Sequence, residues 1–170
     1  PTNTRPSGDR RSSGRGELCP GAHTPRFDLT PSTRHIGRDT TGNLLSKAAL
    51  MDATRSYMKG LIIIEPTAVG TDSFLGEFGM NLSKQARAVA IPSLEIDQPD
   101  CRRAAHSSAV GPIDESQLFS PESRGSVPQE ARKCLIIGFL DPVVARVPTG
   151  EAQDHRRAAR ERAVDDTSAH

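Results

Sequence analysis

An apolar run placed directly after a helical pattern is the feature that most constrains this fold. Leu61–Ile64 is a stretch of branched aliphatic residues without alternation, which is typical of a buried strand in a parallel sheet. Before it, Asn43–Lys59 carries apolar residues at steps of four, three and seven, which predicts a helix capped by Asn43. Gly60 then supplies a tight turn. A helix, a glycine turn and an apolar strand together predict an α/β fold.

The remaining segments are assigned from turn residues and from the spacing of apolar side chains. Cys134–Leu140 alone is compatible with a buried strand, but Pro128 and Glu130 before it favour a helix. In chain order the predicted elements are a strand at Arg26–Pro31, a glycine-rich loop at 67–80, a helix at Asn81–Ala90, a strand within Ala90–Ile96, a loop at Asp97–Val127, a helix at Pro128–Val147 and a charged helix at Glu151–Val164.

Composition divides the chain into three parts. Leu, Ile, Val and Phe make up only 34 of 170 residues, which is 20%, so the core is small. Residues 1–25 consist mainly of Ser, Gly, Pro, Thr and Arg, which predicts a disordered arm. We therefore expect an arm at 1–25, an α/β domain at 26–147 and a charged tail helix at 148–170, with 43–65 as the best-ordered segment.

Several classes of protein are disfavoured by the same sequence. The net charge is only +1 and the chain has one Tyr and no Trp, which argues against a nucleic-acid partner. No apolar run approaches the roughly 20 residues of a membrane span, and no signal peptide is visible, so we expect a cytoplasmic protein. The three cysteines form no C-x-x-C pair and the five histidines are scattered, so no metal site is predicted.

The order of short motifs resembles the opening of the old yellow enzyme family, the FMN-dependent NAD(P)H oxidoreductases. The resemblance begins with Arg26–Thr33 and is strongest over 42–90, where Gly60-Leu-Ile-Ile-Ile-Glu-Pro-Thr-Ala-Val69 is followed by Gly79-Met-Asn81. Gln98 and Ala109–Pro112 resemble later motifs of that family. The similarity covers residues 26 to 147, with gaps.

This resemblance implies a partial (β/α)8 TIM barrel made of the first few βα units. It implies FMN as the cofactor, NAD(P)H as the hydride donor and an activated alkene as the small-molecule substrate. The implied flavin-binding positions are Pro31, Thr33, Pro66 and Gln98, of which Thr33 would tune the flavin and Gln98 would bind its pyrimidine edge. No catalytic residue is assigned. Because the phosphate-binding loops of the late barrel are missing, the chain alone is expected to be inactive.

Two other functions remain open at this point. One is a non-enzymatic, partly disordered, pseudogene-like or spurious product, which the sparse apolar content favours. The other is a binding module that acts through the basic clusters Arg10–Arg15 and Arg156–Arg162. The oligomeric state is not predicted.

Overall fold

The chain folds into a stack of parallel strands followed by one described helix. The computed structural model describes residues 3–4, 12–21, 26–113 and 128–144. Every strand pair in it is parallel. The elements are β1 Asn3–Thr4, β2 Ser12–Gly21, β3 Arg26–Leu29, β4 Ser32–His35, β5 Thr41–Leu50, β6 Arg55–Met58, β7 Leu61–Ile64, β8 Asp72–Asn81, β9 Arg87–Ala90, β10 Ser93–Ile96, β11 Arg103–Pro112 and α1 Pro128–Val144.

The chain visits three sheets in turn and so winds into a β-helix. Its sheets have the orders β11-β8-β5-β2, β3-β6-β9 and β1-β4-β7-β10. One coil consists of a long strand and two short strands, and the next coil pairs with it strand for strand. Thr41 pairs with Asp72, and Asp72 with Arg103, a step of 31 residues. Each coil therefore adds one strand to every sheet, at a spacing of about 4.8 Å.

Each pair of short strands is separated by a two-residue corner that contains proline or glycine. The equivalent corner residues of three successive coils are Pro31, Gly60 and Pro92. Backbone hydrogen bonds continue between coils through these corners, as in Leu61 N to the Pro31 carbonyl at 3.0 Å and Ser93 N to the Gly60 carbonyl at 2.9 Å. The parallel hydrogen-bond pattern is therefore not interrupted where the chain turns from one sheet to the next.

The core runs along the inside of the coils. Leu44 and Leu75 are register partners in neighbouring coils and are 1% and 0% exposed. They pack with Ile62 and Ile64 of β7, which are both fully buried. Every second residue of β5 from Gly42 to Leu50 and of β8 from Ser73 to Gly79 is buried, because successive side chains of a strand point to opposite faces and this face points into the narrow interior.

The helix α1 covers the outer face of the long sheet near its β2 and β5 strands. Ile136 and Leu140 pack against Ala49 and are 2% and 5% exposed. The Lys47 ammonium donates to the Phe139 carbonyl at 2.7 Å and lies 4.5 Å from the centroid of the Phe139 ring. The predicted helix at Pro128–Val147 is confirmed over Pro128–Val144, the described part of that range.

The predicted partial TIM barrel is wrong. Its defining feature is a helix after each strand, whereas the described coils pass from strand to strand through turns. The predicted helix at Asn43–Lys59 is instead β5, a turn and β6. The error has a physical cause, because a step of four residues, as between Leu44 and Ala48, keeps a side chain on the same face of a helix and of a strand.

Three further sequence assignments are corrected and three are confirmed. The helix predicted at Asn81–Ala90 is instead the end of β8, a turn and β9, and the loops predicted at 67–80 and Asp97–Val127 contain most of β8 and all of β11. The strands predicted at Arg26–Pro31, at 61–65 and within Ala90–Ile96 are confirmed as β3, β7 and β10.

The expectations for the chain ends have different outcomes. Residues 1–25, predicted to be a disordered arm, include the strands β1 and β2. The charged tail helix predicted at 148–170 lies outside the described residues, as do the basic residues Arg156–Arg162.

Candidate functional site

A line of polar side chains runs through the interior of the β-helix from the end of β4 to the start of β8. We call it the polar seam, and it consists of His35, Thr40, Thr71 and Ser73, each 0% exposed. His35 Nδ1 lies 2.8 Å from Thr40 Oγ1, and its Nε2 lies 2.9 Å from Ser73 Oγ. Thr40 Oγ1 is also 3.2 Å from Thr71 Oγ1, which donates to the Ala68 carbonyl at 2.8 Å. Each buried polar group of the seam therefore has a partner.

Burial lowers the pKa of His35 from its ordinary value of 6.5 to about 4. The imidazole is therefore neutral at pH 7, with one ring nitrogen as a donor and the other as an acceptor. A neutral ring suits a site in which its partners are the hydroxyl groups of Thr40 and Ser73. The seam thus uses His35 as a neutral hydrogen-bonding link between two coils.

The contact between His35 and Ser73 has the distance expected for a general base and its nucleophile. Both side chains are fully enclosed, however, and a Cβ added at Gly42 would lie 2.6 Å from the ring atoms Cε1 and Nε2 of His35. Since no substrate can reach Ser73 Oγ without opening the coils, this pair stabilises the fold and does not catalyse a reaction.

A buried carboxyl group occupies the next polar position of the interior. Glu77 is 0% exposed, and its Oε1 accepts a hydrogen bond from the Gly60 N–H at 2.5 Å. The equivalent corner residues Pro31 and Pro92 have no N–H. The hydrogen bonds between coils therefore do not use an N–H at this corner position. Where the corner residue is Gly60, its N–H needs another acceptor, and Glu77 supplies it. Nearby in register, Ser46 is also fully buried, and its hydroxyl has no hydrogen-bond partner among the described residues.

The four predicted flavin-binding residues lie at different positions in the coils, and Gln98 and Pro66 are in contact with each other. Gln98 Nε2 donates to the Pro66 carbonyl, so these two residues join the turns of neighbouring coils. Pro31 is buried at its corner, and its carbonyl accepts from Leu61 N at 3.0 Å. Thr33 is 3% exposed and lies in β4, between β1 and β7. All four therefore take part in the stacking of coils.

Two cysteine side chains are described, and both are free thiols. Cys101 is half-buried and Cys134 is exposed on α1, and neither forms a disulfide. Burial, with a smaller effect of the Asp100 carboxylate, raises the pKa of the Cys101 thiol. Among the described residues no group of three or more His, Cys, Asp or Glu side chains is arranged to hold a metal ion. Within the same residues, no helix is long and apolar enough to cross a membrane.

The last described strands leave one end of the β-helix uncovered. We call this surface the open end, and it is formed by β9, β10 and β11. Ile91, Ile96 and Val110 are 47%, 46% and 40% exposed there. His106 is exposed as well, although its register partner Leu75 is fully buried. Exposed apolar side chains on unpaired strand edges are typical of an interaction surface.

The sequence analysis missed the coil repeat, and with it both the polar seam and the open end. A repeat signal is present in the sequence. Arginine recurs at Arg26, Arg55 and Arg87, each five residues before the corner residue of its coil. Such self-similarity at about 30 residues is the mark of a solenoid. The signal is faint because the turns differ in length between coils.

Comparison with known proteins identifies the family. The sequence matches a family model described as SUF system FeS cluster assembly, SufBD core domain, over residues 5–139. The chain belongs to the SufBD family. An iron-sulfur cluster assembly SufBD family protein of Mycobacterium tuberculosis is 32% identical over 140 residues, which cover 78% of this chain and 35% of the relative. The iron-sulfur cluster assembly protein SufD of Bacillus subtilis is 35% identical over 135 residues, which cover 79% and 29%.

The chain spans about a third of the length of these SufBD relatives. Membership of the SufBD family overturns the resemblance to old yellow enzymes, and with it FMN, NAD(P)H and the activated alkene. The interpretation as a spurious product is not supported either, because the family match extends over most of the chain. The apolar parallel strand misled the analysis, since a TIM barrel and a β-helix both contain strands of this kind.

Proposed function

We propose that this chain is a β-helical scaffold in the assembly of iron–sulfur clusters by the SUF system. The observation that carries the proposal is the open end, where register positions that are buried in the preceding coils become exposed. Leu44 and Leu75 are followed in register by His106, and Ile64 is followed by Ile96. A scaffold needs a rigid body and a surface for a partner, and the enclosed coils and the open end supply these two parts.

In this role the iron–sulfur cluster is the cargo of the assembly and not a resident cofactor of this chain. Iron–sulfur clusters are held chiefly by cysteine thiolates. Cys101 is half-buried with a raised pKa, and it donates to the Gln98 carbonyl at 2.9 Å. A single thiol in this state is a poor ligand. We therefore assign the cluster ligands to a partner or to residues beyond those described, and we place the assembly in the cytoplasm.

We propose a structural role for the four positions first considered for flavin. Pro31 and Thr33 hold β4 in its stack, and Gln98 and Pro66 fix the turns that follow β10 and β7. In this interpretation they keep the coils in register and so keep the open end in one shape. Gln98→Ala would then lower the stability of the chain without a direct effect on a partner's surface.

Co-purification tests the proposed function. The tagged chain would be co-expressed with the other SUF-system proteins of its source organism, and the proteins retained on the affinity resin would be identified. We expect retention of at least one of them, and its loss in Ile96→Asp. The matched control is Ile36→Asp, because Ile36 is 36% exposed in the loop after β4, away from the open end. Failure of the unaltered chain to retain any SUF protein, or equal loss in both variants, contradicts the proposal.

A further inference from the structure

Three arginines form a row across the outer face of the sheet β3-β6-β9. We call it the arginine row, and Arg26, Arg55 and Arg87 are register partners in three successive coils. All three side chains are exposed. At about 4.8 Å per coil, the first and the last Cα of the row are about 10 Å apart. The row therefore presents three guanidinium groups at a regular spacing.

Two of the three arginines in the row differ from Arg34, Arg102 and Arg103 because they have no acidic partner among the described residues. Arg34 pairs with Glu65 at 2.6 Å, and Arg102 pairs with Asp39 at 2.7 Å. In the described part of the chain, Arg55 and Arg87 have no such ion pair. One carboxylate, that of Asp28, lies 3.5 Å from Arg26 in an exposed pair. Like charges in directly opposed positions of a sheet repel one another, so the row lowers stability unless an anion binds it.

Apolar side chains continue the same face beside the arginine row. The next outward positions of β3, β6 and β9 are Asp28, Tyr57 and Val89, and Ile91 at the corner is 47% exposed. Arg26 lies 4.8 Å from the centroid of the Tyr57 ring, so this ring is already covered by a cation. The surface is thus a basic strip whose border is apolar along β6 and β9 and acidic at Asp28 of β3.

We propose that the arginine row docks an acidic amphipathic helix of a partner protein. On one face of a helix, carboxylates three and four residues apart are separated by about 5–6 Å, close to the 4.8 Å between strands. Same-face side chains of an extended strand are about 6.6 Å apart and match the row less well. Guanidinium groups bind carboxylates through two parallel hydrogen bonds. Apolar residues beside the acids would contact Val89 and Ile91.

A polynucleotide is the less favoured occupant. Proteins that bind single strands stack bases on accessible aromatic rings, whereas Tyr57, the aromatic residue beside the arginine row, is covered by Arg26. The proposal uses only the arrangement of these coils and does not depend on the role in cluster assembly, so each can fail without the other.

Fluorescence anisotropy on the full 170-residue chain tests the docking site. The probe is a labelled 15-residue helical peptide with Glu at every third and fourth position and Leu beside each Glu. We expect binding at low salt, about threefold weaker for Arg55→Gln and about tenfold weaker for the double variant Arg55→Gln/Arg87→Gln. The matched control is Arg132→Gln, which makes the same change of charge at an exposed position on α1 and should leave the affinity within about 1.5-fold.

A charge-reversal variant, a scrambled peptide and an oligonucleotide provide the remaining tests of the docking site. The double variant Arg55→Glu/Arg87→Glu should bind the same peptide with Lys in place of Glu, and circular dichroism should show an unchanged fold. Binding of a scrambled peptide with equal affinity, or equal weakening by Arg132→Gln and Arg55→Gln, overturns the proposal. Tighter binding of a 15-nucleotide oligo-dT, with the same dependence on Arg55 and Arg87, overturns it in favour of a polynucleotide.

Discussion

The enclosed strands β5, β7 and β8, each paired on both sides, and the open end contain equivalent positions that differ in their surroundings. In register, Leu44 and Leu75 are 1% and 0% exposed, while the third member of that stack, His106, is exposed. Ile64 is 0% exposed, and its partner Ile96 in the next coil is 46% exposed. Burial in this molecule is therefore created by the neighbouring coil, and a side chain of the same type stabilises the fold in one coil and is available to a partner in the next.

The difference also explains how His35 and Glu77 are accommodated inside. His35 and Glu77 are enclosed, but each meets a hydrogen-bonding group supplied by an adjacent coil, at Ser73 and at Gly60. A buried polar group is costly only when it lacks a partner. In a solenoid, the hydrogen-bond partner of a buried polar side chain comes from the coil before or after it. The pairing of buried polar groups therefore depends on the correct stacking of the coils.

The largest expected effect is a difference in the free energy of unfolding between a substitution in the enclosed core and the same substitution at the open end. Ile64→Asp places a charge in the enclosed core, where it lacks a partner, and we expect a loss of at least about 4 kcal/mol in the free energy of unfolding. Ile96→Asp changes the next residue of the same stack, where the side chain is already half-exposed, and should cost less than about 1 kcal/mol. Urea unfolding followed by circular dichroism measures both. Similar losses in the two variants would show that the open end is covered in the free chain.

A pH titration tests the neutral state of His35. Above pH 6.5 the imidazole is neutral in the folded and the unfolded chain, so its contribution to stability is fully present. Between pH 6.5 and about 4 only the unfolded state takes up the proton, and stability falls by up to about 3 kcal/mol. Below about pH 4 this contribution is constant.

The matched comparison for this titration uses two substitutions. His35→Gln should be less stable at pH 7 but should lack this part of the decline between pH 6.5 and 4. His106→Gln, at the exposed position of the open end, should keep the decline of the unaltered chain. The prediction fails if the two variants have the same dependence of the unfolding midpoint on pH.

Local sequence signals predicted some elements of the fold but not their arrangement. The four aliphatic residues Leu61–Ile64 correctly predicted a parallel strand, and Pro128 correctly predicted the start of α1. Ile63, however, is only partly buried, whereas Ile62 and Ile64 fill the core. The apolar run did not reveal which face is inside, since that depends on pairing with the coils on either side.

The contacts of the candidate site could not be predicted from local sequence signals, for the same physical reason. His35 and Ser73 are 38 residues apart and meet only because one coil is stacked on the next. Nothing in the neighbourhood of either residue signals this contact. Neighbouring members of the arginine row are 29 and 32 residues apart in sequence, and only this recurrence, together with the corner residues, could have brought Arg26, Arg55 and Arg87 into one line.

A smaller effect is expected when a methyl group is added to a glycine. A Cβ at Gly60 would lie 2.6 Å from Leu75 Cδ1 and 2.8 Å from Glu77 Oε1, and both side chains are fully buried. Gly60→Ala should therefore cost about 1–3 kcal/mol through overpacking. A Cβ at Gly111 in β11 would meet no atom within 4 Å, so Gly111→Ala should not be destabilised by crowding. Equal costs in urea unfolding would contradict the difference in packing between the two regions.

The smallest expected effect comes from an apolar substitution at the open end. His106→Leu completes the stack of Leu44 and Leu75, and it would stabilise the chain substantially if a further coil covered position 106. Because His106 is exposed in the free chain, we expect the free energy of unfolding to stay within about 0.5 kcal/mol of the unaltered value. Measured at several protein concentrations, this small change should not depend on concentration. A concentration-dependent gain of more than about 1 kcal/mol would mean that two chains already cover each other's open ends, and that the contrast with the enclosed strands disappears in solution.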